Sequence, residues 1–269
     1  MRGANPPKEN QGRDCMHVII IGSGTAIPLN DRGSPCIAVL LEGKVLLLDI
    51  GPGSLRQLTR VGISHNQIDQ VFLTHFHPDH TADLIHLLFA TRNPGVLKGR
   101  RPFSITGPPG TLRLIAALQR AYPDWLTLPP DIMAVEELDM QIKGRRDYGD
   151  FTVIATPVNH TRQSLAYRIR DRRGKALVYS GDTGISREIV DLARGADMAI
   201  LEASFPSGQE CEGHLTPTQA GQIATLAGIP HLVLVHFYPE CLAVDAAAQC
   251  RRTYSGELTL GEDLLLLRV

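Results

Sequence analysis

Four side chains that can bind a metal ion occur within six positions of one segment, VFLTHFHPDH: His75, His77, Asp79 and His80. The apolar residues before them predict a strand, and the alternation of a strand would aim His75 and His77 toward one side. Imidazole nitrogens and a carboxylate at this density indicate a metal site. The alternative interpretation is an exposed polar turn that happens to contain several histidines.

Three further candidate ligands each follow an apolar segment that predicts a strand. His160 follows FTVIATPVN, Asp182 follows ALVYSG, and His236 follows LVLV. Alone, each histidine would more often be a hydrogen-bonded residue near the core, and the aspartate a turn former. Together with the first cluster, they indicate ligands supplied from distant parts of the chain. The histidines at positions 17, 65, 86 and 231 lack this pattern and are interpreted as surface or core residues.

The first cluster resembles the His-x-His-x-Asp-His signature of the metallo-β-lactamase superfamily. That resemblance implies an α/β fold, a four-layer αββα sandwich in which the strand ends bring all seven ligands to one rim. It implies one metal ion held by His75, His77 and His160, another held by Asp79, His80 and His236, and Asp182 as the bridge.

Two such divalent ions would carry out hydrolysis. They lower the pKa of a shared water to near neutrality and stabilise charge at the leaving group. Nitrogen-rich ligands favour zinc, with manganese and iron as alternatives. Asp79 would orient or deprotonate the nucleophilic water in addition to binding metal.

Further motifs are similar to the ribonuclease Z group in order and wording: IGSGTAIP, LLLDIGPG, YSGDTG, LEASF and GHLTPTQA, across most of residues 18 to 240. The resemblance implies a phosphodiesterase in which Glu202 and His214 together protonate the leaving oxygen. A histidine held by a carboxylate is a suitable general acid for this step. The resemblance also implies a small phosphodiester or RNA as substrate, and a homodimer. Without it, Glu202 and His214 are simply a strand-end carboxylate and a loop histidine.

Departures from the group weaken the case for transfer RNA as substrate. Members that process transfer RNA carry a flexible arm, whereas only the short charged stretch Lys143 to Tyr148 stands where such an arm would sit. The group's Gly-Glu-Gly is GPG here, and its His-Gly-Asp-His is HPDH. These changes favour smaller diesters. Hydrolysis of an aryl sulfate, thioester or lactone stays an alternative, as do redox chemistry at two irons and a non-enzymatic binding role.

The elements that must position these residues alternate along the chain. Strands are predicted for HVIIIG, CIAVLLEG, KVLLLDIG, VFLTH, FSITG, FTVIATP, LAYRIR, ALVYSGD, MAILEAS and LVLVH. Helices are predicted near residues 54–61, 84–89, 111–122, 186–194, 217–227 and 244–251, and Thr216 is the predicted N-cap of the fifth. This order predicts two sheets flanked by helices. Residues 123–130 form a predicted surface loop whose Trp125 lines the mouth of a cleft.

Length and composition set the outer limits. The 269 residues predict a single domain over 16–269 after a disordered tail over 1–15. A net charge of −1 supplies no overall field to attract nucleic acid, so phosphate would have to meet local clusters such as Arg100 and Arg101 or Arg168 to Lys175. The five separated cysteines and the lack of a long apolar segment predict a reduced, cytoplasmic protein that does not enter a membrane.

Overall fold

The computed structural model describes residues 15–138 and 144–269, which form two sheets of seven strands each. The first sheet contains β1 (His17–Gly22), β2 (Cys36–Leu41), β3 (Lys44–Leu48), β4 (Ile68–Phe72), β5 (Phe103–Gly107), β6 (Met133–Glu137) and β14 (Leu266–Arg268). The second contains β7 (Gly144–Asp147), β8 (Phe151–Pro157), β9 (Leu165–Asp171), β10 (Ala176–Tyr179), β11 (Met198–Glu202), β12 (His231–Val235) and β13 (Glu257–Leu260).

Each sheet has an antiparallel half and a parallel half. The strand order is β14-β1-β2-β3-β4-β5-β6 in the first sheet and β13-β12-β11-β10-β9-β8-β7 in the second. The pairs from β3 to β6 and from β10 to β13 are parallel, and the others are antiparallel. Parallel neighbours need crossover connections, and helices supply most of them.

Helices cover the outer face of each sheet. The helices beside the first sheet are α1 (Ser54–Arg60), α2 (Pro78–Thr81), α3 (Asp83–Thr91), α4 (Pro94–Leu97) and α5 (Thr111–Ala121), with a 3-10 helix at His65–Gln67. Those beside the second are α6 (Arg187–Ala193), α7 (Pro217–Ala227), α8 (Pro239–Leu242) and α9 (Ala246–Cys250). Leu58 and Leu84 pack under the first sheet, and Ile189 and Ile223 pack under the second. The predicted four-layer αββα sandwich is therefore confirmed.

A third apolar core lies between the two sheets. Ile20, Leu48, Phe72, Tyr167 and Val233 are fully buried there. The hydroxyl of Tyr167 donates to the backbone oxygen of the residue that follows β4, at 2.6 Å, so a polar group also links the two sheets. Both sheets share this core, and a single domain over 16–269 stays a prediction.

The predicted elements agree with the structure in most places. Glu42 and Gly43 connect β2 to β3 with φ angles of 50° and 75°, as a tight hairpin requires. The prediction missed the strands β6, β7, β13 and β14 and the short helices α2, α4 and α8. It also placed the strand before the metal motif three residues too late, at 71–75, whereas β4 spans Ile68–Phe72.

Two further predictions concern the ends of the chain and the membrane. The tail predicted over 1–15 lies outside the described residues except for Cys15. Within 15–138 and 144–269, every helix falls short of the length and apolar character that a membrane span needs.

Candidate metal centre

The candidate ligands lie beyond the ends of four strands, at one rim of the sandwich. The HFHPDH segment follows β4, His160 follows β8, Asp182 follows β10 and His236 follows β12 directly. The first histidines are thus placed by a loop rather than by the strand itself. His77 nevertheless keeps an extended backbone as the residue before α2, and the rings of His75 and His77 lie 4.5 Å apart.

The first group of ligand atoms comes from His75, His77, His160 and Asp182, all within 4.8 Å of one another. His160 Nε2 lies 3.3 Å from His77 Nδ1 and 3.7 Å from Asp182 Oδ2. His75 Nε2 lies 3.8 Å from the same carboxylate oxygen. Three nitrogens and one oxygen thus surround a space of the size that one divalent ion needs.

The second group comes from Asp79, His80 and His236, also within 4.8 Å of one another. His80 Nε2 and His236 Nε2 lie 3.2 Å and 3.3 Å from Asp182 Oδ1. Both nitrogens are 3.7 Å from Asp79 Oδ2. The Asp182 carboxylate therefore faces the first group with one oxygen and the second group with the other.

Buried polar atoms at this centre lack partners. Among the described residues, Nε2 of His75, His80 and His236 and Oδ1 of Asp182 are buried with no hydrogen bond. An unsatisfied buried polar atom costs about 1–3 kcal/mol, so several at one point require an explanation. A cation bound between them would use their lone pairs, and the donor set therefore fits divalent metal ions.

The opposite ring nitrogens are held by hydrogen bonds that orient the rings. His80 Nδ1 pairs with Asp49 Oδ2 at 2.7 Å, and His75 Nδ1 lies 3.0 Å from the Thr74 hydroxyl. His160 Nδ1 faces the backbone oxygen of Gly213 at 2.9 Å, and His236 Nδ1 faces the hydroxyl of Ser204 at 2.9 Å. Such partners orient the ring and leave Nε2 for the metal.

Burial favours neutral imidazoles at His75 and His160. Burial and the nearby His80 lower the pKa of His75, and burial lowers the pKa of His160 to about 4. At His80 burial also lowers the pKa, but Asp182 and Asp49 outweigh burial and raise that pKa well above its usual range. Burial alone would raise the pKa of Asp182, but the surrounding histidines outweigh it and hold that pKa well below its usual range. Neutral nitrogen and anionic oxygen are the forms that bind cations.

Asp49 holds the metal-ligand segment in place and was not among the predicted site residues. It is fully buried, has a φ of 60°, and accepts hydrogen bonds from the backbone N–H and hydroxyl of Thr74 and from the hydroxyl of Tyr179. Its bond to His80 makes it the common anchor of the HFHPDH segment. The sequence pattern that could have identified Asp49 is its position in LLLDIG. Like Asp182, Asp49 is a carboxylate that follows an apolar strand.

Glu202 and His214 lie together beside the metal-ligand groups. His214 Nδ1 is 3.2 Å from both carboxylate oxygens of Glu202. One of its ring nitrogens also lies within 4.8 Å of ligand atoms of Asp182 and His236. Burial lowers the pKa of His214, but the hydrogen bond and charge of Glu202 outweigh burial, so the net pKa is raised. The pair is thus suited to hold a proton at the edge of the centre.

Glu202 is itself held in place by groups around it. The side chain is 1% exposed, and it accepts the backbone N–H of Thr183 at 2.6 Å and the hydroxyl of Ser204. Because Ser204 also contacts His236, the acid pair and the second ligand group share one hydrogen-bond network.

Other charged or histidine residues of interest have structural partners. Arg100 is buried and donates to the backbone oxygens of His65 and Ile68, and Arg168 donates to backbone oxygens in the last turn of α6 and just after it. These two guanidinium groups stabilise the backbone around them, and phosphate binding by the clusters stays a prediction. In the described part of the chain, the histidines at positions 17, 65, 86 and 231 belong to none of the candidate metal groups.

Comparison with known proteins places this geometry in a family. The model of the β-lactamase superfamily domain matches residues 44–237. A ribonuclease Z from Mycolicibacterium gilvum is 29% identical over 94% of this chain and 96% of its own. The structure of the short form of human tRNase Z has 25% identity and a TM-score of 0.75, covering 93% of this chain and 98% of that one.

The fold itself is also found in a bacterial protein of the same architecture. The metallo-β-lactamase fold protein YhfI from Bacillus subtilis has a TM-score of 0.82 at 24% identity, covering 95% of this chain and 100% of that one. The family model spans well over half of the chain and includes all seven candidate ligands. This chain therefore belongs to the β-lactamase superfamily.

Proposed function

We propose that the protein is a two-metal hydrolase of phosphodiesters, similar in activity to ribonuclease Z. The observation that carries the proposal is the position of His214, which is held by Glu202 and lies beside ligand atoms of Asp182 and His236. A group that can donate a proton therefore lies at the edge of a site that can hold cations. The curated relatives named ribonuclease Z, which align with almost the whole chain, support the same reaction.

The chain's residues divide the work at this site. One ion would be held by His75, His77 and His160, the other by Asp79, His80 and His236, with Asp182 shared. Two bound divalent ions supply an activated water near neutral pH and neutralise charge on phosphoryl oxygens. The nitrogen-rich donors favour zinc over manganese or iron. The Asp79 carboxylate orients the attacking water and accepts its proton.

His214 acts on the leaving group. Because Glu202 occupies its Nδ1, the proton on Nε2 is the one available to substrate. The alkoxide that leaves a phosphodiester is strongly basic, so protonation during departure lowers the barrier. The raised pKa of His214 favours the protonated form that this role requires.

The substrate that we propose is a small phosphodiester or an RNA. Within the stretch Lys143 to Tyr148, Gly144–Asp147 forms edge strand β7, and Lys143 lies outside the described residues. The segment therefore supplies no support for a transfer-RNA-gripping arm. Homodimerisation stays a prediction, which sedimentation of the metal-loaded protein tests.

A cytoplasmic location also belongs to this proposal. All five cysteines are free, and a reducing compartment maintains that state. Detection of the protein in a cell fraction together with cytoplasmic markers is the expected result.

The central test compares two matched histidine variants of metal-loaded protein. With bis(p-nitrophenyl) phosphate or a short RNA as substrate, His214→Gln should lower kcat about 100- to 10,000-fold, the usual contribution of acid–base catalysis. The control His231→Gln removes a histidine whose side chain contacts Thr259 and Glu257 of β13, and it should leave kcat unchanged. Equal activity of the two variants would remove the assigned role.

A substrate panel separates this proposal from other ester hydrolases. The same preparation, reconstituted in turn with zinc, manganese and iron, is assayed with an aryl sulfate, a thioester and a lactone. Phosphodiester turnover should exceed the others. Turnover of one of these esters without any phosphodiester hydrolysis would contradict the proposal.

A further inference from the structure

An apolar cleft of about 570 Å³ lies along α3, which continues in the chain from the HFHPDH segment. One wall comes from α3 and the residue before it, and the other from the loop after α5. The lining of this apolar cleft includes Ala82, Ile85, His86, Phe89, Tyr122 and Trp125. None of these residues has a role in the proposed hydrolysis.

The apolar cleft is continuous with the segment that carries the metal ligands. Ala82 joins α2 to α3 and keeps right-handed helical angles, so residues 78 to 91 follow one helical path. Along that path Pro78, Ala82, Ile85 and Phe89 recur at intervals of four, three and four residues and share one face. At 1.5 Å per residue, Ile85 lies roughly 10 Å from Pro78, a distance comparable to the size of one nucleotide.

Three aromatic side chains are exposed around this cleft. Trp125 is 55% exposed, Phe89 is 53% and Tyr122 is 46%. The rings of Phe89 and Trp125 lie 5.9 Å apart at an interplanar angle of 72°, which makes two walls at nearly a right angle. The Phe89 ring, on α3, lines the cleft. Large exposed aromatic surfaces of this kind mark binding sites.

A cation accompanies the aromatic walls. The guanidinium of Arg92 lies 5.6 Å from the centre of the Trp125 ring. Across residues 15–138 and 144–269, no salt bridge involves Arg92, so its charge is left for a ligand. A planar, weakly polar group linked to an anion matches this combination, because aromatic rings stack on its face and arginine pairs with phosphate.

We propose that the apolar cleft is a stacking subsite for an unpaired nucleobase next to the scissile phosphodiester. The inference rests on the proposed function, since the base must be attached to the diester that the metal centre cleaves. The base stacks on Phe89 and meets the Trp125 ring with its edge, and Arg92 meets the adjoining phosphate. Stacking on aromatic side chains is tolerant of sequence, so the subsite selects for an unpaired base rather than for one particular base.

Trp125 is the only tryptophan of the chain and therefore reports binding without any turnover. The probes are a short phosphorothioate oligoribonucleotide and its abasic counterpart of equal length and charge. The oligoribonucleotide should quench Trp125 fluorescence and bind more tightly than the abasic probe. Phe89→Ala should weaken its binding roughly 5- to 150-fold, the range expected for loss of base stacking. The matched control Leu226→Ala removes an equally exposed apolar side chain on α7 and should change nothing.

A kinetic measurement complements the binding assay. With an RNA substrate, Trp125→Leu should raise KM while kcat stays close to the wild-type value, since the cleft binds ground state and transition state alike. A fall in kcat with unchanged KM would overturn the subsite.

Failure of the subsite and failure of the proposed function give different results. If both probes bind equally and Phe89→Ala has no effect while phosphodiester hydrolysis persists, the subsite is overturned alone. If no metal supports phosphodiester hydrolysis, the proposed function fails whatever the fluorescence shows. If sedimentation reveals a dimer that shields Trp125 from acrylamide and that Phe89→Ala dissociates, the cleft is an interface between two copies, and the base subsite is overturned.

Discussion

At the scale of single residues, the Asp182 carboxylate is the point at which both ligand groups meet. Its two oxygens lie 3.2 to 3.8 Å from four imidazole Nε2 atoms. Carboxylate oxygens and neutral imidazole nitrogens all direct lone pairs into this space. Packing them this closely is unfavourable without a cation, because the buried polar atoms then remain unsatisfied. The geometry is therefore that of a binding site for cations.

Replacing Glu202 by glutamine tests the proton that His214 holds. Glu202 raises the pKa of His214 against the effect of burial, so the acid form of His214 persists to higher pH in the wild type. In Glu202→Gln the charge is lost and the His214 pKa falls. The alkaline limb of kcat/KM against pH should then move to lower pH. A limb that stays in place or moves upward would show that His214 is not the acid.

Replacing Asp49 by asparagine tests the anchor of His80. Asparagine tolerates the positive φ of this position, so the backbone is preserved, but the carboxylate that orients His80 loses its charge. Loss of such an outer partner lowers metal affinity about 10- to 100-fold, which competition with a chelator measures. Asp150→Asn, in a surface ion pair with Lys44, is the matched control. Equal affinities would show that Asp49 serves only the fold.

Residue types and order predicted the candidate ligands well, but not the residues behind them. His160, Asp182 and His236 could be found because each follows an apolar strand. Asp49 also follows such a strand, yet it was missed because its partners Thr74 and Tyr179 are brought to it only by the fold. Long-range hydrogen bonds of this kind leave no spacing in the sequence.

At the scale of elements, α7 shows how local sequence places the acid. Thr216 accepts the backbone N–H of Gln219, and the Gln219 side chain accepts the backbone N–H of Thr216. Thr216, the N-cap of α7, lies two residues after His214. The capping box therefore limits the freedom of the loop that carries the acid.

Removing the cap should lower stability by a modest amount. Thr216→Ala loses the acceptor for an orphan N–H and should reduce the free energy of unfolding by about 1 kcal/mol. Denaturant titration by circular dichroism measures this change. Thr59→Ala, at an exposed hydroxyl within α1, is the control and should change stability less. An unchanged unfolding midpoint for Thr216→Ala would mean that the cap contributes nothing.

The strands that the sequence did not predict share a physical reason. β7, β13, β14 and β6 are the outermost strands of the two sheets, each paired on one side only. Their residues are partly exposed, so the alternation of buried and exposed positions is weak. The predicted strand VFLTH ended too late because the Thr74 N–H donates to Asp49 instead of continuing the strand. Tertiary partners decide such endings.

At the scale of the whole molecule, two sheets with parallel halves bring distant segments to one rim. The ligands span residues 75 to 236, and the α/β sandwich makes that separation short in space. The resemblance of the motifs to a known superfamily predicted this convergence, whereas composition and charge predicted little beyond a globular chain. The apolar cleft was foreseen only at Trp125, because exposure of Phe89 depends on how α3 packs.

The most direct test of the account is the metal content of the protein after reconstitution and removal of free ions, measured by inductively coupled plasma mass spectrometry. The seven ligands, among which Asp182 faces both groups, predict two divalent ions per chain. The metal content of Asp182→Ala should fall clearly below two ions per chain. A wild-type content of one ion or fewer would contradict a two-metal centre at this rim.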